Sequence, residues 1–240
     1  MIGVFDSGVG GLVAYKELRR LLPRADVAYL ADRKNAPYGT KKKDELTELV
    51  TKDIRRLKDL GASRILIACC TASAVYKELC EDIQRLATPI ILPTAREIAR
   101  LSEDRKEPYR VTVIATEHTV SSRAFTLATE ELVGKRNERC LMTEIAAQKL
   151  VTLVEEGNAD GSITPDAEDY LDGLCKRIKS HSPEALILGC THFSHLKSEF
   201  EERLFGVKII SPAHLGAREL YRLMKKNNED TAGSGRCLYL

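Results

Sequence analysis

Ile65-Leu66-Ile67-Ala68-Cys69-Cys70-Thr71 and, half a chain later, Leu186-Ile187-Leu188-Gly189-Cys190-Thr191-His192 decide the reading of this sequence. Each stretch is an apolar run of strand length that ends on a small residue, then a cysteine, then a threonine where a helical pattern begins. The recurrence divides the chain evenly and predicts two α/β halves of similar design. Other runs of the same kind are Ile2–Phe5, Val27–Leu30, Ile90–Leu92, Val111–Ala115 and Val207–Ile210. They are almost continuously apolar, as parallel strands covered on both faces are.

Between the runs lie stretches with helical spacing: Leu12–Leu22, Asp44–Leu60, Ser73–Leu86, Ser121–Leu132, Glu144–Glu156, Asp166–Lys179 and Leu215–Lys225. The alternation predicts an α/β fold of two similar parallel-sheet domains in pseudo-twofold arrangement, with a site between them. A boundary is expected after Pro93 and a return near residue 208, giving 1–93 plus 208–240 against 94–207. Glu103–Pro108 and Gly157–Pro165 read as loops, and Asn227–Gly235 as a loosely held segment.

The 240 residues, 43% hydrophobic, suffice for a sizeable core. A net charge of +2 with well-mixed signs excludes the basic stripe of a nucleic-acid binder. No apolar stretch approaches the ~20 residues of a membrane span. The first apolar run breaks at Asp6, unlike a signal peptide, so a cytoplasmic protein is the simplest reading. The seven cysteines are odd in number and show no CxxC spacing, which predicts free thiols. Cys80, Cys140 and Cys175 read as inert small hydrophobes, and Cys237 as part of a mobile tail.

Ligands of open parallel sheets sit beyond the carboxyl ends of the strands. Asp6-Ser7, Cys69-Cys70-Thr71 and Cys190-Thr191-His192 all fall there. If the halves face each other, both thiols line one cleft, each just before a helix N-terminus that favours the thiolate. The adjacent N–H groups and the hydroxyls of Thr71, Ser73 and Thr191 are suited to a carboxylate. Two thiols on opposite sides of a carbon acid suit inversion of a stereocentre: one removes a proton and the other returns one to the opposite face. Asp6 is placed to assist one thiol and His192 the other. Gly8, Gly10 and Gly11 form a tight strand-to-helix turn. Val13 occupies the last position of a dinucleotide fingerprint, and no Walker A pattern occurs. Cys69, Cys70, Cys190 and His192 are zinc-ligand types, but adjacent cysteines reach one metal poorly, so no metal is expected.

At these residues the sequence resembles glutamate racemases of the aspartate/glutamate racemase superfamily. The resemblance rests on Ile2-Gly3-Val4-Phe5-Asp6-Ser7-Gly8-Val9-Gly10-Gly11, Pro37-Tyr38-Gly39-Thr40, Ala68-Cys69-Cys70-Thr71-Ala72-Ser73-Ala74 and Leu188-Gly189-Cys190-Thr191-His192-Phe193. It implies a cofactor-free enzyme that interconverts L- and D-glutamate and supplies D-glutamate for peptidoglycan, commonly as a homodimer. It implies Cys69 and Cys190 as the acid/base pair. Around the substrate it implies Asp6, Ser7, Tyr38, Gly39, Cys70, Thr71, Thr119, Thr191 and His192, with Glu155 as a further acid/base group. Where the family usually has Asn after its first cysteine, this chain has Cys70, a weak donor in place of an amide. Asn35 stands where Arg is common, Ser194 where Pro is common, and the family usually continues beyond Leu240. The rival readings are a racemase of another acidic amino acid such as aspartate, a non-catalytic amino-acid-binding relative, and a thiol redox or metal protein.

Overall fold

Two all-parallel sheets organise the chain. The computed structural model describes residues 1–133, 139–156, 163–229 and 233–240. The first sheet has the order β4-β3-β1-β2-β9, from Ala87–Pro89 (β4), Arg64–Ile67 (β3), Ile2–Asp6 (β1), Val27–Ala31 (β2) and Cys237–Tyr239 (β9). The second has the order β6-β5-β7-β8, from Cys140–Ala146 (β6), Tyr109–Ala115 (β5), Ala185–Gly189 (β7) and Lys208–Ile210 (β8). The central strands β1 and β7 are buried at every residue, which is why they read as unbroken apolar runs.

Setting β9 aside, both sheets follow one plan. The chain enters on an inner strand, crosses to one side, then returns to the other side of the first strand. Cys69 follows the third strand of the first sheet and Cys190 the third strand of the second, so the sequence echo is a topological one. Each sheet therefore reverses its winding between β1 and β3 or between β5 and β7, the place where open α/β sheets hold ligands.

Helices Ile91–Ser102 (α5) and Pro212–Lys226 (α11) lie against both halves. Ile91, Ala95 and Ile98 of α5 and Ala213, Ala217 and Leu220 of α11 share one core with Val4 and Leu66 of the first sheet and Val111, Val113 and Ile187 of the second. Helix Lys43–Asp59 (α2) covers the outer face of the first sheet, with Leu46, Val50, Ile54 and Leu57 buried. Helices Gln148–Glu155 (α8), Pro165–Ser180 (α9) and Lys197–Arg203 (α10) cover the outer face of the second. Among the described residues no helix is long and apolar enough to cross a membrane.

The structure corrects several sequence expectations. Ile90–Leu92 is not a strand: α5 begins at Ile91, and the strand is Ala87–Pro89, paired through Ile65↔Ala87 and Ile67↔Pro89. A buried first helical turn and a buried strand look alike over three residues, while Pro89 suits the edge position that β4 occupies. Glu144–Ala146 is not helical but ends β6, in register Val113↔Glu144. The Ser73–Leu86 pattern breaks into helix Cys70–Ala74 (α3), a 3-10 turn at Tyr76–Glu78 and helix Glu81–Leu86 (α4). Lys208–Ile210 pairs with β7 in the second sheet, so the chain returns to the first half after Ile210 rather than at residue 208. The loop expected over Gly157–Pro165 lies largely outside the described residues, with Pro165 opening α9.

The C-terminal segment is held, contrary to the expectation of a mobile tail around Cys237. β9 pairs with β2, and Asp26 accepts hydrogen bonds from the Ser234 and Arg236 backbone N–H groups. Tyr239 packs edge-on against Tyr15 and lies beside Tyr29. The hydroxyl of Tyr29 donates to the Gly8 carbonyl in the turn beyond β1, which links this edge to the site. Deleting residues 233–240 is expected to cost about 2 kcal/mol, read as a melting temperature about 4–8 °C lower. An unchanged melting curve would show that β9 contributes nothing.

Candidate active site

Asp6 ends β1 and is fully buried. Its carboxylate accepts from the Gly8 N–H at 3.0 Å and from the Thr191 hydroxyl at 3.2 Å, so it fixes the glycine turn and ties the two halves together. The turn is tight because Thr191 approaches it closely: a Cβ on Gly10 would stand 2.5 Å from Thr191 Oγ1 and 2.8 Å from the His192 backbone nitrogen.

Cys69 and Cys190 line one narrow cavity, together with Ser7, Tyr38, Gly39, Cys70, Thr71, Glu155, Thr191 and His192. The cavity encloses ≈ 20 Å³, about the space of one water. The cavity must therefore widen to admit an amino acid. A larger cavity of ≈ 490 Å³ nearby, lined by groups such as Tyr76, Ile91 and Leu127, contains neither thiol, so size alone does not mark the site.

Each thiol has a polar neighbour of its own. Cys69 Sγ lies 3.5 Å from Ser7 Oγ, and Cys190 Sγ lies 3.5 Å from His192 Nδ1. Beyond His192, Glu155 Oε1 stands 3.0 Å from Nε2, but Nε2 closes no hydrogen bond, so the two are in contact without being aligned. Glu155, His192 and Cys190 form a line from the cavity's rim to a buried sulfur. Thr71, Thr116 and Thr119 form a closed set of hydroxyls across the two halves, at 3.0 Å between Thr71 and Thr116 and 2.9 Å between Thr116 and Thr119. Thr119 is fully buried behind the lining and supports it rather than facing the cavity. The Tyr38 hydroxyl points away, donating to Asp32 Oδ2 at 2.7 Å with Asp53 Oδ2 at 3.2 Å. Asn35 donates to the same Asp32 carboxylate. At the cavity Tyr38 thus offers its ring and backbone.

Sequence reasoning missed two polar lining residues. Thr116 caps the helix after β5, its hydroxyl accepting from the Thr119 N–H, and a threonine beyond a strand was a usable signal. Gln148 opens α8 and was hidden inside the longer helix read across β6.

The N–H groups of the following segments do favour the thiolates, Ala72 at Cys69 and His192 and Phe193 at Cys190, but burial outweighs them. The segments after the cysteines are a five-residue helix and a 3-10 turn, too short for a strong dipole. Burial pushes the Cys69 thiol up to about 11, with the nearby Asp6 carboxylate adding to it and the Ser7 hydroxyl opposing it. Burial also raises the Cys190 and Cys70 thiols well above the ordinary range. Both central sulfurs are thus protonated thiols in the ligand-free protein at neutral pH. Among the described residues no group of three or more His, Cys, Asp or Glu is arranged to hold a metal ion.

Raised thiols also set the alkaline stability. Cys69, Cys140 and Cys175 are each pushed up to about 11, in each case chiefly by burial. Above the unfolded thiol range near 9 the unfolded chain loses protons that the folded state keeps, so stability falls with pH until the folded groups titrate. Each group removes about 2–3 kcal/mol over the window from about pH 9 to about pH 11. Thermal melts across that range are expected to show a steep decline, and a flat profile would contradict the burial of these thiols.

A sequence model of the family described as Asp/Glu/Hydantoin racemase matches residues 16–220. The chain belongs to this racemase family. It is 36% identical over 240 residues to a glutamate racemase of Desulforudis audaxviator, covering 97% of this chain and 83% of that one. Among solved structures, the glutamate racemase of Francisella tularensis in complex with D-glutamate superposes with a TM-score of 0.85 at 28% identity, covering 99% of this chain and 86% of that chain. Glutamate racemase isoform RacE1 from Bacillus anthracis gives a TM-score of 0.85 at 27% identity, covering 100% and 86%. The two-sheet arrangement of this family member is thus the arrangement of solved racemases.

Proposed function

We propose that the protein is a glutamate racemase that works without a cofactor, using Cys69 and Cys190 as the two acid/base groups. The observation that carries this reading is that two sulfurs at corresponding places in two sheets line one cavity. One thiolate removes the Cα proton and the opposing thiol delivers a proton to the other face. The same two groups exchange roles in the reverse direction, which suits a reaction whose substrate and product are mirror images.

The raised thiols need a reason to ionise during turnover, and the substrate supplies it. Its α-ammonium is the natural partner of buried Asp6, whose negative charge adds to burial in raising both thiols. Neutralising that charge with a cation beside the sulfurs favours the thiolate only in the complex. The proton of Cys190 has an outlet through His192 toward Glu155, and Ser7 and Asp6 serve Cys69. Thr191, Thr71 and the Gly39 turn hold the carboxylates. We further propose a cytoplasmic protein that supplies D-glutamate for peptidoglycan. As a homodimer it would cover the exposed Leu127 and Leu132 of helix Ala124–Val133 (α7) and the exposed Leu141 on the edge strand β6.

Loss of optical rotation from L-glutamate, followed by circular dichroism with no added cofactor, tests the assignment. Conversion to an equal mixture of isomers is expected. No conversion of glutamate, or faster conversion of aspartate, would move the assignment to one of the rival readings. The substrates differ by one methylene, worth only about 1–3 kcal/mol in a pocket, so both are assayed.

A further inference from the structure

Gln148 is the first residue of α8, just beyond the carboxyl end of β6. Among the described residues it is the one carboxamide lining the thiol cavity. Its Oε1 is buried and has no hydrogen-bond partner. Buried polar atoms are almost always paired, so an unpaired amide end beside a cavity marks a contact made only when a ligand is present. The amide packs over the Gly39 turn: a Cβ on Gly39 would stand 2.3 Å from Gln148 Oε1 and 2.7 Å from Thr116 Cβ. Gln148 thus brings the second half onto the Tyr38-Gly39 turn of the first, beside the Thr71–Thr116 hydroxyl pair.

This corner differs in charge from the corner held by Asp6. Asp6 is bound to the Gly8 N–H and the Thr191 hydroxyl, and it is the anion that a substrate ammonium meets. Beside Gln148 stand the neutral Thr71 and Thr116 hydroxyls and the Gly39 turn, Glu155 is the lining's carboxylate at the rim, and among the described residues no Lys or Arg lines the cavity. Neutral donors at the end away from Asp6 suit a carboxylate. Cys70, adjacent to Thr71, offers only a weak S–H donor. A carboxamide turned about its last bond exchanges its oxygen and nitrogen ends with almost no change of shape. With Nε2 turned inward, Gln148 presents N–H donors at the point where Oε1 now stands unpaired.

We infer that Gln148 contacts the substrate and selects for its side-chain carboxylate, donating an N–H from the cavity wall beside Gly39 that the Cys70 thiol cannot replace. This rests on the racemase reading of the cavity. A contact at the far end of the substrate from Cα acts on ground state and transition state alike, so it appears in KM rather than in kcat.

The test compares Gln148→Ala, Gln148→Leu and Gln148→Glu with the parent, by calorimetric titration with D-glutamate and by initial rates. The alanine and leucine variants are expected to weaken D-glutamate binding and raise KM about 10-fold, with kcat changed less than about threefold. The glutamate variant keeps the shape but opposes a carboxylate, and it is expected to weaken binding about 100-fold. Melting curves separate lost contact from lost fold, and the leucine variant, which nearly keeps the volume, decides if alanine unfolds the protein. Alanine and leucine variants within twofold of the parent would overturn the inference. So would a glutamate variant that binds as tightly as the parent, since that places the ammonium at this corner. A parent that binds D-glutamate without racemising it sinks the racemase reading alone, and the titrations still decide Gln148; a parent that does neither sinks both.

Discussion

Cys69→Ser and Cys190→Ser are each expected to lower glutamate racemisation by about 10²–10⁴-fold, with melting temperatures close to that of the parent. Serine keeps the approximate shape and a hydrogen-bonding hydroxyl, so Ser7 and His192 retain partners. What it removes is ionisation: a buried hydroxyl cannot become the oxyanion near neutral pH, whereas a thiol, even one pushed up to about 11, ionises once a cation sits beside it. Both variants should fail in both directions, because each thiol serves as base in one direction and acid in the other. Cys175→Ser, buried among Leu171, Leu174 and Ile178, is the contrast: it should lose stability through an unpaired hydroxyl and keep its rate. Normal turnover by either cavity variant, measured by circular dichroism, would be incompatible with a thiol pair.

Gly10→Ala is expected to lower kcat/KM by about 10²-fold while leaving the secondary structure intact. The added methyl would meet Thr191 Oγ1 at 2.5 Å, Thr191 Cβ at 2.8 Å and the His192 backbone nitrogen at 2.8 Å. Backbone cannot yield as a side-chain tip does, so the segment after Cys190 must move away from β1. The Thr191–Asp6 hydrogen bond, at 3.2 Å already long for two oxygens, is lost in that movement. A shift of about 1 Å between groups that must face the same carbon is enough for a loss of this size. Gly8→Ala is the control, since a methyl there meets only the His192 ring at 3.8–3.9 Å, an ordinary contact. Equal kinetics for the two alanine variants would show that the approach at Gly10 does not set the position of Cys190.

The sequence was most legible where strands are buried on both faces. The apolar runs within β1, β2, β3, β5 and β7 were legible because every residue of those runs is buried, Arg64 and Arg110 meeting water only near the strand starts, and the repeated strand-small-Cys pattern marks equivalent turns of two sheets that share one winding. It was least legible at the edges. β6 alternates between exposed Leu141, half-buried Glu144 and buried Ile145, and its end merged with α8 into one helical pattern. β9 is three residues long and pairs across almost the whole chain, with no local signal to announce it. Gln148 was hidden by the first of these errors. The direction of the thiol shifts was misread because a cysteine before a helix suggests a dipole, while sequence does not reveal that the helix has five residues and the sulfur is buried. Tyr38 lines the cavity, but its hydroxyl goes to Asp32 and Asp53, partners no motif named.

The decisive measurement follows hydrogen at Cα early in the reaction. L-Glutamate incubated with the protein in deuterated water is sampled before the reverse reaction matters, and the two isomers are separated and weighed by mass spectrometry. Two sulfurs facing opposite sides of the carbon predict deuterium in nearly all of the D-glutamate formed and almost none in the L-glutamate that remains. Product that keeps its original hydrogen, or deuterium entering both isomers at the same rate, would contradict them.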